Sequence, residues 1–107
     1  MISKELLNEV LGYEASYVQI VGTKLCFSCH IKGGSNINIY ELAHKCKEWA
    51  FNNGYYLNIY NDAIDVVLKK SCKIVENITD GSFKYSPMLV FKACQWILDN
   101  KENKWDK

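Results

Sequence analysis

Between Asn38 and Gly54 the apolar residues Ile39, Leu42, Ala43, Cys46, Trp49 and Ala50 recur at three- and four-residue spacing. That spacing puts them in one stripe along an α-helix and on no single face of a strand. Asn38, with Glu41 three positions on, resembles a capping box with asparagine as the cap, and Gly54 supplies a left-handed stop. A helix of this length is marginal alone in water, so its stripe must be covered by the rest of the chain. The flanking segments are rich in β-branched and aromatic residues, which makes a sheet the expected cover.

Tyr17 to Val21 and Leu25 to Ile31 read as strands joined through Gly22-Thr23-Lys24 into a hairpin, and Lys32-Gly33-Gly34-Ser35-Asn36 reads as a flexible loop. After the helix, Tyr55 to Tyr60 and Ile64 to Lys70 read as two strands around Asn61-Asp62-Ala63, with Leu57, Ile59, Ile64, Val66 and Leu68 in the core. Cys72 to Ile78 extends the sheet by a third strand. A short amphipathic helix is expected from a Ser3 cap to Leu11, ending at Gly12 and carrying Leu6, Leu7, Val10 and Leu11. Asp80-Gly81-Ser82 reads as a turn, and Ser86-Pro87 opens a last helix running to about Asn100.

The fold class expected is α+β: an antiparallel β-sheet with helices packed on it, in the order α-β-β-α-β-β(-β)-α. With 107 residues, 49% of them apolar, the chain has enough for one core, so residues 1–100 form a single domain and residues 101–107 a polar tail. No apolar run approaches the roughly 18 residues of a membrane span, and Met1-Ile2-Ser3-Lys4-Glu5 lacks the layout of a signal peptide. The expectation is a cytoplasmic protein without membrane contact. All 13 basic residues are lysine and the net charge is +1, so no guanidinium fork is available for phosphate or guanine, and nucleic acid is a disfavoured partner.

Five cysteines, Cys26, Cys29, Cys46, Cys72 and Cys94, are an odd number with no export signal, which favours reduced thiols. Cys46 and Cys94 fall on apolar helix faces, as small buried hydrophobes do. Cys26-Phe27-Ser28-Cys29-His30 matches the C-x-x-C-H spacing of covalent haem attachment. Residues three apart on a strand point to opposite faces, however, so Leu25, Phe27, Cys29 and Ile31 are expected inward and Cys26, Ser28 and His30 outward, too divergent for one haem or zinc. No metal and no cofactor is expected.

Catalytic constellations are equally sparse. His30 and His44 are the only histidines, and neither sits in a recognisable metal, nucleotide or nucleophile motif. Ser28 and His30 alternate on one strand, about 7 Å apart, beyond hydrogen-bond reach. Asp62 and Asp65 flank a turn, where aspartate serves the backbone. Gly33-Gly34 lacks the lysine and helix of a P-loop. No catalytic residue is assigned.

Aromatic placement says more. Tyr40, His44, Lys47 and Phe51 form a second stripe on the central helix, turned away from the core. Such residues combine contact area with a polar handle, which suits protein recognition; the alternative is that Tyr40 and Phe51 cover neighbouring loops. Tyr56, Asn58 and Tyr60 share the strand face opposite Leu57 and Ile59, suited to stacking on a base or a partner side chain, or to packing under the first helix. On the last helix Leu89, Val90, Ala93, Cys94 and Ile97, extended by Phe91 and Leu98, exceed what one sheet contact needs, which points to homo-oligomer formation through that helix.

Ser86-Pro87 followed by Val90-Phe91-Lys92-Ala93-Cys94-Gln95-Trp96-Ile97-Leu98 resembles the closing helix of the phage ABA sandwich proteins. Ile39-Tyr40-Glu41-Leu42-Ala43 through Trp49 is similar to that family's central helix, so the resemblance covers roughly Ile39 to Asn100. A chain rich in lysine, asparagine, isoleucine and tyrosine, without arginine, also fits the AT-rich coding of many phages. The resemblance implies a phage or prophage accessory protein whose partner is a bacterial host or defence protein, with a CRISPR effector as one target, and it carries over no catalytic residue. The leading expectation is a non-enzymatic inhibitor acting by stoichiometric binding. The alternatives are an oligomeric sponge for a nucleotide immune signal and, last, a small enzyme.

Overall fold

The computed structural model describes residues 2–12, 14–29, 33–79 and 87–100. Helix α1 (Lys4–Leu11) leads into β1 (Ala15–Val21), β2 (Lys24–Cys29) and β3 (Gly33–Asn38). Helix α2 (Ile39–Asn52) follows, then β4 (Tyr55–Ile59), β5 (Ala63–Leu68), β6 (Ile74–Thr79) and α3 (Pro87–Asn100). The α+β class and the order of the foreseen elements hold. Two features differ. The strands form two three-stranded antiparallel sheets, β1-β2-β3 and β4-β5-β6, where one sheet was expected. Most of the stretch read as a flexible loop is strand β3. The Asp80-Gly81-Ser82 turn, Ser86 as a cap, and the tail 101–107 lie outside the described residues.

Local chemistry fixes the helix ends. Ser3 Oγ accepts from the Leu6 N–H at 3.1 Å, and Gly12 closes α1 at φ 82°, where a Cβ would be strained. The same Ser3 hydroxyl donates to Gln95 Oε1 on α3 at 2.5 Å, so the cap also docks the helix. Asn38 Oδ1 accepts from the N–H groups of Tyr40, at 2.8 Å, and Glu41, at 3.3 Å. At the other end Asn53 is the cap and Gly54, at φ 94°, turns the chain into β4.

Each sheet has one row turned towards the helices. In the first, Ile20, Leu25 and Ile37 stand opposite one another, as do Val18, Phe27 and Ser35. In the second, Ile59, Ile64 and Ile78 align, and Tyr55 faces Leu68. Ile64, Val66 and Leu68 are buried as expected, while Leu57 and Ile59 are only partly covered. Helix α1 rests on β1, α2 and α3; α2 reaches both β3 and β4; α3 lies on β5 and β6. The backbone spans 41 × 33 × 16 Å.

The α2 stripe is covered as its spacing requires: Ile39, Leu42, Ala43, Cys46, Trp49 and Ala50 are all buried. Burying a leucine side chain stabilises by about 1.5–3 kcal/mol, with a further cost for the cavity if it is truncated. The cap contributes only about 1 kcal/mol. Leu42→Ala is therefore expected to lower unfolding free energy by roughly 3 kcal/mol and Asn38→Ala by about 1 kcal/mol in urea titrations.

Candidate functional site

The exposed stripe of α2 forms where the spacing placed it. Tyr40 and Phe51 are 52% and 51% exposed, His44 is exposed and Lys47 half-buried. His44, Lys47 and Phe51 meet around an open hollow of about 310 Å³, completed by Glu48 and Asn52; Tyr40 stands outside it, one turn beyond His44. His44 Nε2 lies 4.0 Å from Glu48 Oε1, a contact that becomes an ion pair only when the imidazole is protonated. Lys69, just past β5, places its ammonium 3.6 Å from the Phe51 ring centroid and donates to the Phe51 carbonyl at 2.9 Å. One lysine thus adds a second donor, beside the Gly54 N–H at 3.2 Å, to a carbonyl at the negative end of α2 and anchors the ring by cation–π attraction. Phe51 therefore contacts its own chain and still presents half its surface. Nothing local in the sequence announces Lys69, which lies 18 residues from Phe51.

Tyr56, Asn58 and Tyr60 lie on the face of the second sheet turned away from the helices. Helix α1 packs on β1, α2 and α3, so they are not packed beneath it. Asp65 in β5 sits opposite Asn58 on this face and works across strands, not as a turn residue. Its Oδ2 accepts from the Tyr60 hydroxyl at 3.1 Å and its Oδ1 from Asn77 Nδ2 at 2.7 Å. The carboxylate beside Tyr60 raises that phenol's pKa above its usual value, through the hydrogen bond first and then through charge. The Tyr56 pKa is raised by desolvation first, and then by the nearby Cys72 thiol. Asp62 lies in the bend between β4 and β5, and its backbone carbonyl accepts from Thr79 Oγ1 at 2.9 Å.

Cys46 and Cys94 are fully buried where α2 meets α3, as expected of small hydrophobes, and Cys94 Sγ donates to the Cys46 carbonyl at 3.4 Å. The hydrogen bond with Cys46 and burial push the Cys94 thiol well above the ordinary range, so it stays protonated. Cys26 and Ser28 fall within β2, in keeping with a strand through the C-x-x-C-H segment; the Cys29 side chain, His30 and Ile31 lie outside the described residues. Among the described residues no group of three histidine, cysteine, aspartate or glutamate side chains converges as a metal site. On α3, Leu89, Val90, Phe91, Ala93, Cys94 and Ile97 are all buried within the single chain. Contacts with α2, β5 and β6 cover these six, while Leu98 at the margin of the arc is only partly buried.

A second hollow was not foreseen. About 500 Å³ in volume, it has Leu11, Phe27 and Ile37 as its apolar wall and the Ser35–Asn38 segment, Glu41 and Lys45 as its rim. It depends on β3, whose Ser35 and Asn36 have the composition of a loop.

Compared with known proteins, the chain matches no family model, no curated protein and no solved structure. The resemblance to the phage ABA sandwich proteins thus rests on the residue patterns alone. No helix among the described residues is long and apolar enough to cross a membrane.

The Tyr60–Asp65 contact is directly measurable. In an ultraviolet titration one phenol, identified by its loss in Tyr60→Phe, is expected to ionise above the usual tyrosine range, because the neighbouring carboxylate favours the protonated phenol. Asp65→Asn is expected to move it back down.

Proposed function

We propose that this chain is a non-enzymatic protein-binding protein whose contact surface centres on the α2 stripe. The observation that carries this reading is the pair of half-exposed aromatics, Tyr40 and Phe51, displayed on one helix face with His44 and Lys47 between them. Aromatic side chains contribute large contact area with few torsions to freeze, and histidine and lysine supply polar contacts beside them. Helix α2 is capped by Asn38 and tied at its far end by Lys69, so the display is ordered before any partner arrives. Less entropy is then lost on association.

The mechanism is occlusion: the stripe covers a surface that the partner needs. The partner class follows from the resemblance and is a bacterial host or defence protein, a CRISPR effector among the targets. A second reading, sequestration of a nucleotide signal, draws on Tyr60, a residue 51% exposed on a sheet face with Asn58. Asp65 puts a negative charge at the centre of that face, which opposes a phosphate-bearing ligand and ranks this reading second.

Affinity capture from host cells and against expressed defence effectors tests the first reading. The Tyr40→Ala/Phe51→Ala double variant is expected to keep its circular dichroism spectrum and lose about 2 kcal/mol or more of binding, roughly a thirty-fold drop in affinity. Failure of every effector to bind, with a rise in melting temperature on adding a cyclic nucleotide, would move the assignment to the second reading.

A further inference from the structure

We propose that the hollow beside β3 receives an extended peptide segment of another protein, which adds to β3 as a further strand. β3 is an edge strand, paired among the described strands with β2 alone. An edge strand directs a row of backbone N–H and C=O groups away from its neighbour, and only water or another extended chain satisfies them. Natural sheets commonly protect such edges with lysine, proline or a bulge. Gly33-Gly34-Ser35-Asn36-Ile37-Asn38 has no charge and no proline, and its register with β2 runs unshifted from Lys24↔Asn38 to Cys29↔Gly33. The sequence leaves this edge competent to pair.

The hollow supplies what a bare edge lacks. Four consecutive β3 residues, Ser35 to Asn38, line it together with Glu41 and Lys45 from the first turns of α2. An edge strand beside a helix is the arrangement used for strand addition, in which the backbone gives affinity and hollows for alternate side chains give specificity. Phe27, Ile37 and Leu11 form the apolar wall that accepts one such side chain. Glu41 and Lys45, one helical turn apart and both exposed, complement a basic and an acidic residue on either side of it. The occupant is therefore an extended, β-branched segment with an apolar residue between charges of opposite sign. This site is separate from the Tyr40–Phe51 surface and does not depend on it.

The test uses the full chain and end-capped hexapeptides of the form Lys-Thr-X-Thr-Val-Glu, with X as valine, leucine, phenylalanine or tyrosine, followed by amide NMR. At least one is expected to shift the Ser35–Asn38 amides saturably and to slow their hydrogen exchange. The same peptide N-methylated at alternate residues, which removes its donors along one edge, is expected to bind at least about tenfold more weakly. Glu41→Ala/Lys45→Ala is expected to weaken binding several-fold, whereas Tyr40→Ala/Phe51→Ala leaves it unchanged, which separates this site from the α2 stripe. Three results would overturn the proposal: no saturable change at β3 with any peptide at millimolar concentration, equal binding of the N-methylated form, or a dimer of the peptide-free protein in which a second copy already occupies the β3 edge.

Discussion

The buried stripe of α2 is the contact on which the rest of the architecture depends. Among the described residues the two sheets share no strand pairing, and α2 reaches both, entered from β3 and left through β4. Its inner side chains also meet α1 and α3, so Leu42, Ala43, Cys46 and Ala50, all without exposed surface, sit at the junction of every layer. Capping fixes where the helix starts and stops. Burial keeps it folded, since several side chains at about 1.5–3 kcal/mol each outweigh about 1 kcal/mol per cap.

Strong local signals were legible in the sequence. The α2 stripe, the Ser3 and Asn38 caps, the stops at Gly12 and Gly54, the β4–β5 hairpin and the start of α3 at Pro87 each follow from a few neighbouring residues. What escaped was imposed from elsewhere. β3 has the composition of a loop, and it is extended because Ser35 and Ile37 register with Phe27 and Leu25 of β2. No periodicity distinguishes one six-stranded layer from two sheets of three, because that choice depends on which distant edges pair. Tyr55 was missed as a core residue; it is fully buried, its ring edge-on to Trp96 at a centroid distance of 6.4 Å. How much of the α3 arc is covered is likewise not local, because it is decided by what α2 and the second sheet reach.

For the site, the sequence located the α2 stripe and the outward tyrosines, since helical and strand periodicity place side chains on faces without tertiary knowledge. It did not locate their partners. Lys69 over Phe51 and Asp65 between Tyr60 and Asn77 both depend on chain segments brought together by the second sheet. These contacts change the character of the two surfaces. The helix face acquires a fixed cation at one end, while the sheet face acquires a fixed carboxylate at its middle, so the two present opposite charge beside their aromatic rings. One short chain thereby offers two surfaces of different electrostatic preference.

The thiols of Cys46 and Cys94 also carry a physical consequence. Both lie in the seam between α2 and α3, and Cys94 is held protonated there, whereas Cys72 is exposed on a turn. An alkylating reagent in water reaches Cys72 in the closed molecule but meets the seam thiols only when the two helices part. Their modification rate therefore gauges how often the centre of the molecule breathes, through a reporter the polypeptide already contains.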